Sequence, residues 1–273
     1  MSVSPRTSLR EEVAGAEWYH SMRLPGGIVT PGIFNTIDEL PRVPLPASLA
    51  GKRCLDVGTA DGFWAFEMER RGATDVVAID VRDPAKLDWP GPPKSEARMR
   101  QVGGAELVKH RGFEIAHRAY GSSVQWRESP VYALTPDLVG EFDFVFVGSL
   151  LLHLRDPVGA LAAIRTVLRG EMLSVDTVSP LLTLFHPRKP LARFEAPGWP
   201  LWWALNLAAY RRLFDAAGLE IVQSGRPFFV KPGPSFGTSP RAGRSPDGIM
   251  HRISAELGIL HAWVRVRPGA HDG

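Results

Sequence analysis

One cysteine stands among 273 residues, and that scarcity excludes both an intramolecular disulfide and a cysteine-built metal cage. Cys54 falls inside an apolar run that reads as a buried strand, so a reducing cytoplasm is the expected setting. Long hydrophobic runs are also missing. The most apolar stretch, Phe142 to Leu152, is too short to span a bilayer and contains Asp143, so no membrane partner is expected. The first residues have no apolar core and carry Glu11 and Glu12, which argues against a signal peptide. His110, His117, His186, His251 and His261 share no spacing, and no metal site is expected from them. Charge of one sign is scarce too: the net charge is +3, with arginine outnumbering lysine. That balance permits a nucleic acid partner without arguing for one. Against these absences stand 44% hydrophobic and 22% charged residues, enough for one α/β domain with embellishments.

The richest stretch runs from Arg53 to Asp80, RCLDVGTADGFWAFEMERRGATDVVAID. An apolar run, Cys54 to Val57, meets a turn marked by Gly58 and Gly62. A helical segment follows to Arg71, Gly72 stops it, and a second apolar run, Val76 to Ile79, ends in Asp80. Strand, tight turn, helix, strand and acid make a βαβ unit of the nucleotide-binding kind. The glycines let the backbone turn sharply beside a ligand, and the helix start offers free N–H groups. Asp80 follows the turn at about the 20-residue spacing of an acid that binds ribose hydroxyls.

Along the rest of the chain, residues 1 to about 14 are expected to be frayed. Glu17 to Asp38 is aromatic and glycine-rich without helical or strand period, and Pro41, Pro44 and Pro46 lead into the main domain. This divides the chain into an arm and lid segment, residues 1–45, and a domain over residues 46–273. Lys94 to Arg111 reads as a helix, Ser123 to Trp126 as a third strand and Phe142 to Val147 as a fourth, apolar enough for the centre of a parallel sheet. A helix over Asp156 to Leu168 precedes a fifth strand, Met172 to Val175. Leu181 to Trp203 is irregular, with Trp199, Trp202 and Trp203 crowded together in a place suited to an acceptor pocket or a dimer contact. A helix over Asn206 to Ala217, a sixth strand over Glu220 to Gln223 and a seventh, antiparallel one over Ile259 to Val266 complete the pattern. Lys231 to Gly248 is expected to be a mobile loop carrying Arg241 and Arg244.

The run Asp56-Val57-Gly58-Thr59-Ala60-Asp61-Gly62 resembles the D-V-G-x-G-x-G signature of class I methyltransferases that use S-adenosylmethionine. A dinucleotide fold wants G-x-G-x-x-G instead, which makes a nicotinamide dehydrogenase the weaker fit. Ala60 stands where the middle glycine usually sits, and its methyl is expected to hold φ negative. Three pieces are similar to the wobble-uridine tRNA carboxymethyltransferase-like members of the class: LDVGTADGFW, FDFVFVGSLLLHLRDPVGAL and LAAYRRLFDAAGLEIV. The resemblance covers about Pro44 to Val222. It implies a Rossmann-like, seven-stranded, doubly wound α/β sheet with S-adenosyl-L-methionine as cofactor. In the carboxymethyl-transferring relatives a tyrosine before the histidine helps hold an extra carboxylate; here Leu152 takes that place, which implies the unmodified donor. The expected activity is methyl transfer to an oxygen of a small molecule such as a sugar or secondary metabolite. A tRNA wobble-uridine modifier and a non-catalytic nucleoside-binding module are the alternatives, and oligomeric state is not legible.

Within that frame Asp80 is the expected ribose acceptor, with Val81 packing beside adenine and Tyr132 near the same base. Asp56, Gly58, Thr59 and Gly62 shape the loop against the cofactor, with Asp56 ordering the loop or reaching the methionine ammonium through water. Gly148 and Ser149 follow the fourth strand near the sulfonium. His153, just beyond, and His20, in the Trp18-Tyr19-His20 lead-in, are the candidate general bases. Trp18 and Trp64 shield the cofactor or pack the core.

Overall fold

The computed structural model describes residues 8–83, 86–90, 110–195, 201–236 and 256–269. Its main sheet contains β1 (Arg53–Val57), β2 (Asp75–Asp80), β3 (Gln125–Glu128), β4 (Phe142–Gly148), β5 (Leu168–Thr177), β6 (Leu219–Ser224), β7 (Phe228–Val230) and β8 (Ile259–Pro268). The order across the sheet is β6-β8-β5-β4-β1-β2-β3, and β7 continues the β6 edge against β8. β1 pairs in parallel with β2 on one side and β4 on the other, while β8 runs antiparallel to β5 and β6. The expected seven strands are all present, and the last is antiparallel as read from the sequence. The chain reverses its winding direction at β1, so a crevice opens beyond the carboxyl ends of β1, β2 and β4, where α/β sheets bind ligands.

Both faces of the sheet are buried, which is why β4 is apolar at nearly every position and β1 is buried from Cys54 to Val57. On one face, α2 (Pro157–Val167) and α3 (Leu207–Ala216) pack over Leu55, Val57, Val145 and Val147. The other face carries α1 (Phe63–Arg70), a helical stretch over residues 110–120, and the N-terminal segment. Cys54 lies fully buried in that layer, and burial pushes its thiol up to about 12. Trp64 stacks on Phe146, with ring centroids 4.5 Å apart, and Trp18 is buried with its indole N–H donating to the Val13 carbonyl. Both tryptophans therefore belong to the core.

Several expectations need correction. The fraying expected of residues 1 to about 14 does not hold over Leu9–Ala14, a helix opened by a reciprocal Ser8–Glu11 capping box that satisfies two of the free N–H groups. Trp18, Met22 and Thr30 are buried, so this part of the arm packs into the core beside α1. The helix expected over Lys94 to Arg111 falls mainly on residues outside the described set, and the described helical stretch covers residues 110–120. The supposedly irregular span after β5 holds a short helix, Pro180–Phe185, capped by Ser179, and a hairpin pairing Ala192–Phe194 with Trp203–Leu205. At the start of the expected mobile loop, the Gly233 N–H donates to the Ile33 carbonyl and the Asn35 N–H to the Lys231 carbonyl, at 2.7 and 3.1 Å. Arg241 and Arg244 lie outside the described residues, as does Trp199.

Candidate active site

The loop between β1 and α1 is built on three left-handed residues. Gly58 (φ 75°) lets the chain pass close to Leu150, where an added Cβ would sit 3.1 Å from that side chain. Gly62 (φ 89°) begins α1 against Phe66 and Phe113, and a Cβ there would come within 2.6 Å of both rings. Ala60 is also left-handed, with φ 51°, which corrects the expectation of a negative φ. The loop keeps the glycine path, and alanine bears the steric cost of about 1–2 kcal/mol.

Neighbouring acids hold that path in place. Asp80, at the end of β2, accepts the Ala60 N–H and the Val81 N–H, both at 2.7 Å. Asp56 lies under the loop, buried, and accepts the Thr59 hydroxyl at 2.7 Å. Burial pushes its carboxyl up to about 7, against the lowering effects of that hydrogen bond and of His20. Asp61, fully buried, reaches the other way: its carboxylate accepts the Tyr19 and His20 N–H groups at 2.8 and 2.9 Å and pairs with the His20 ring through Nδ1. The N-terminal segment is thus fastened directly to the loop.

A cleft of about 320 Å³ opens in front of these groups. Gly58, Asp80, Val81, Tyr132, Gly148, Ser149 and His153 line it together, with apolar walls from Ile79, Val131, Leu150 and Leu154. Asp56, Thr59 and Gly62 stand behind the loop and shape it, while the His20 ring is buried at the Asp61 clasp. Ser149 occupies a left-handed position (φ 47°) at the end of β4, with its N–H donating to the Val175 carbonyl at 2.8 Å. His153 sits on the short helical turn Leu151–His153 that follows. Behind that turn, Asp176 at the end of β5 accepts the Leu151 and Thr177 N–H groups, each at 2.7 Å.

A strap over residues 86–90 closes one side of the cleft, beside Val131 and Tyr132. The Asp88 carboxylate accepts the Tyr132 hydroxyl and the Arg155 N–H, and the Asp88 carbonyl accepts the Trp202 indole at 2.9 Å. The Tyr132 hydroxyl in turn accepts the Asp156 N–H at 3.1 Å. Trp203 donates to the Leu154 carbonyl at 2.9 Å, so the tryptophan cluster buttresses the β4 exit from outside. Sequence reasoning missed Asp61, Asp88 and Asp176. Only Asp61 left a signal, an acid inside a glycine turn that the helix buries. Among the described residues no group of histidines, cysteines and acids is arranged to hold a metal ion, and no helix is long and apolar enough to cross a membrane.

Glycine loop, an acid at the end of β2 and strand order together define a class I methyltransferase fold. The family described as a methyltransferase domain matches residues 34–224, and the chain belongs to it. Among curated relatives it is 28% identical over 171 residues to a ubiquinone biosynthesis O-methyltransferase of Acinetobacter baylyi, covering 62% of this chain and 60% of that protein. The corresponding protein of Azotobacter vinelandii is 31% identical over 132 residues, covering 48% and 46% of the two chains. The chain therefore spans less than two thirds of the length of these relatives. Of the solved structures, the N-terminal domain of EvdMO1 in the presence of SAH and D-fucose is similar with a TM-score of 0.53, 17% identity and 95% coverage of both chains. The [4+2]-cyclase SpnF is similar with a TM-score of 0.50, 18% identity and coverage of 96% and 92%. These likenesses establish the fold. A cyclase among them shows why activity has to be argued from the site.

Proposed function

We propose that the protein binds S-adenosyl-L-methionine in the 320 Å³ cleft and transfers its methyl group to an oxygen of a small molecule. The observation that carries this is the convergence on one cleft of the β2 acid Asp80, the Gly58 turn and the small residues Gly148 and Ser149. The donor set fits the group: a carboxylate for two ribose hydroxyls, apolar walls for a base, and a close backbone approach at Gly58. When bound, the cofactor supplies a methyl group already activated by a sulfonium. The chain has to position the acceptor and exclude water. The Asp88 strap and the Asp61-fastened N-terminal segment, which brings Tyr19 and Ile33 to the cleft wall, serve that exclusion. His153, on the cleft wall beyond β4, is the group we assign to take a proton from an acceptor hydroxyl. His20, bound to Asp61, is assigned a positioning role.

The curated relatives are O-methyltransferases of ubiquinone biosynthesis, which supports a hydroxylated small-molecule acceptor. The alternative, tRNA wobble-uridine modification with a carboxylated donor, rests on the resemblance of the glycine turn and the β4 block. Leu152 speaks against it, because an apolar side chain there gives a second carboxylate no partner. Parallel incubations with labelled S-adenosylmethionine and with its labelled carboxylated form, each with separate pools of hydroxylated metabolites and tRNA, test both readings. Label entering the metabolite pool supports the first; label entering only tRNA overturns it in favour of the second.

A further inference from the structure

Away from the cleft lies a cavity of about 500 Å³, bounded by α1, the N-terminal segment and the end of the helical stretch over residues 110–120. It shares no described lining residue with the cleft, so a molecule held there lies outside the site of methyl transfer. Its floor is the buried trio Met22, Phe63 and Phe66, and Leu40 and Tyr120 wall it. The Phe66 and Tyr120 rings stand 5.3 Å apart, tilted by 56°. Such a volume, with a mostly apolar lining and a few charged groups, is that of a small-molecule site.

The charged groups decide which chemistry fits. Glu67 accepts three N–H groups from Arg70 and Arg71, at 2.7 to 2.8 Å. Glu69 accepts the Ser122 hydroxyl together with the N–H and hydroxyl of Ser123, at 2.6 to 2.7 Å. Both carboxylates therefore already have their donors. Arg23 differs. It is exposed, on the short hairpin that pairs Arg23–Leu24 with Ile28–Val29, and its carbonyl accepts the Tyr120 hydroxyl at 2.7 Å. Among the described residues its guanidinium makes no hydrogen bond and no ion pair. Three arginines thus stand against two glutamates, and the uncommitted charge is a cation.

We propose that this cavity is a second ligand site and takes an amphipathic monocarboxylate, its apolar body on Met22, Phe63 and Phe66 and its carboxylate on the Arg23 guanidinium. The planar fork of arginine matches a carboxylate with two parallel N–H donors. One uncommitted cation balances one negative charge, so a monoanion fits better than a phosphate dianion. A cationic ligand would have to draw Glu67 or Glu69 away from the arginines or serines that hold them. A neutral apolar ligand would cover the floor and leave Arg23 without a partner.

The test is calorimetric titration of the full chain with octanoate, with octanol and octylammonium as uncharged and cationic controls. Octanoate should bind with a submillimolar Kd, about threefold more tightly than octanol, the worth of an exposed but well-aligned ion pair. Arg23→Gln should erase that preference: octanoate weakens about threefold and octanol is unchanged. Because Arg23 is exposed, the variant should keep the wild-type melting temperature. Leu40→Trp, which fills the cavity, should weaken both ligands alike, by about fivefold or more. Saturation with S-adenosylhomocysteine should leave octanoate affinity within about twofold, since the two sites are separate. Octanol or octylammonium binding as tightly as octanoate overturns the proposal, as does octanoate affinity that neither variant changes. Displacement of octanoate by S-adenosylhomocysteine would put it in the cleft, and absence of any octanoate binding would leave the cavity without this ligand; either result overturns the assignment.

Discussion

The Asp61 carboxylate binds His20 twice, through the backbone N–H at 2.9 Å and through the ring Nδ1, across 41 positions of chain. It joins the glycine loop to the N-terminal segment with both partners buried. Substitution of Asp61 by Ala would leave the Tyr19 and His20 N–H groups without their acceptor, at about 1–3 kcal/mol for each buried group. The expected result is a total loss of about 2–6 kcal/mol, read as a drop of several degrees or more in melting temperature, together with weaker cofactor binding. An unchanged melting temperature in Asp61→Ala would mean that the clasp contributes nothing.

Asp80 carries a different expectation. Its carboxylate accepts two backbone N–H groups at the cleft edge, so Asp80→Ala should cost about 1 kcal/mol without ligand. Cofactor affinity should fall further, by about 2–3 kcal/mol, because a charged acceptor for the ribose hydroxyls is lost. Thermal shift with and without S-adenosylhomocysteine separates the two numbers. Wild-type affinity in the variant would remove Asp80 from the ribose site.

Much of this was legible in the chain before folding. The β1–α1–β2 unit, the order of alternating strands and helices, and the cleft residues Gly58, Asp80, Gly148 and Ser149 follow from local patterns: apolar runs, a glycine turn, and acids or small residues at strand ends. Asp88 and Asp176 were hidden for a physical reason. Their roles depend on contacts across the fold, with Asp88 meeting Tyr132 and Trp202, and Asp176 holding the turn after β4 through the Leu151 N–H. Ala60 misled because a side-chain rule was applied to a position where tertiary contacts dictate the backbone. The Asp80 carboxylate holds the Ala60 N–H and with it the left-handed turn.

Ala60 therefore makes a sharp test. Glycine reaches φ 51° without the Cβ clash of about 1–2 kcal/mol, although it adds about 0.4–1 kcal/mol of unfolded-state entropy. Ala60→Gly should be neutral or stabilising by up to about 1 kcal/mol. Ala60→Val, β-branched at a left-handed position, should lose more than about 1 kcal/mol. A denaturant midpoint series on the three proteins decides it; valine tolerated as well as glycine would show that the loop does not hold this conformation in solution.

The buried acids set a pH dependence with a definite sign. Burial raises Asp56, Glu39 and Asp176 to about 7, far above the range of about 4 for an unfolded carboxyl. A raised folded pKa means that the native state holds the proton more tightly. That stability is complete below about pH 4 and is lost as pH rises toward 7. The ligand-free protein should lose melting temperature between about pH 5 and 7.5, unlike a protein held by ionised, salt-bridged carboxylates. Asp56→Asn, which keeps an acceptor for the Thr59 hydroxyl, should flatten that slope. A slope unchanged in Asp56→Asn would mean that Asp56 is ionised in the native state throughout the range.

His153 is the last group whose role can be separated by experiment. It sits on the cleft wall in the turn after β4, with its backbone N–H donating to the Leu150 carbonyl at 2.9 Å, so the turn does not depend on the imidazole for that bond. If the acceptor is a hydroxyl, His153→Ala should lower turnover by about 10²–10⁴ while leaving S-adenosylhomocysteine affinity near wild type. Wild-type turnover should also fall as pH drops through the titration of the ring, since an imidazolium cannot accept the proton. A structural histidine would give a different result: a stability loss of about 1 kcal/mol, with turnover retained in the folded fraction. Turnover and melting temperature measured on the same variant distinguish these outcomes. Retained turnover would move the proton-accepting role away from His153, and the His20–Asp61 pair would be the next to test.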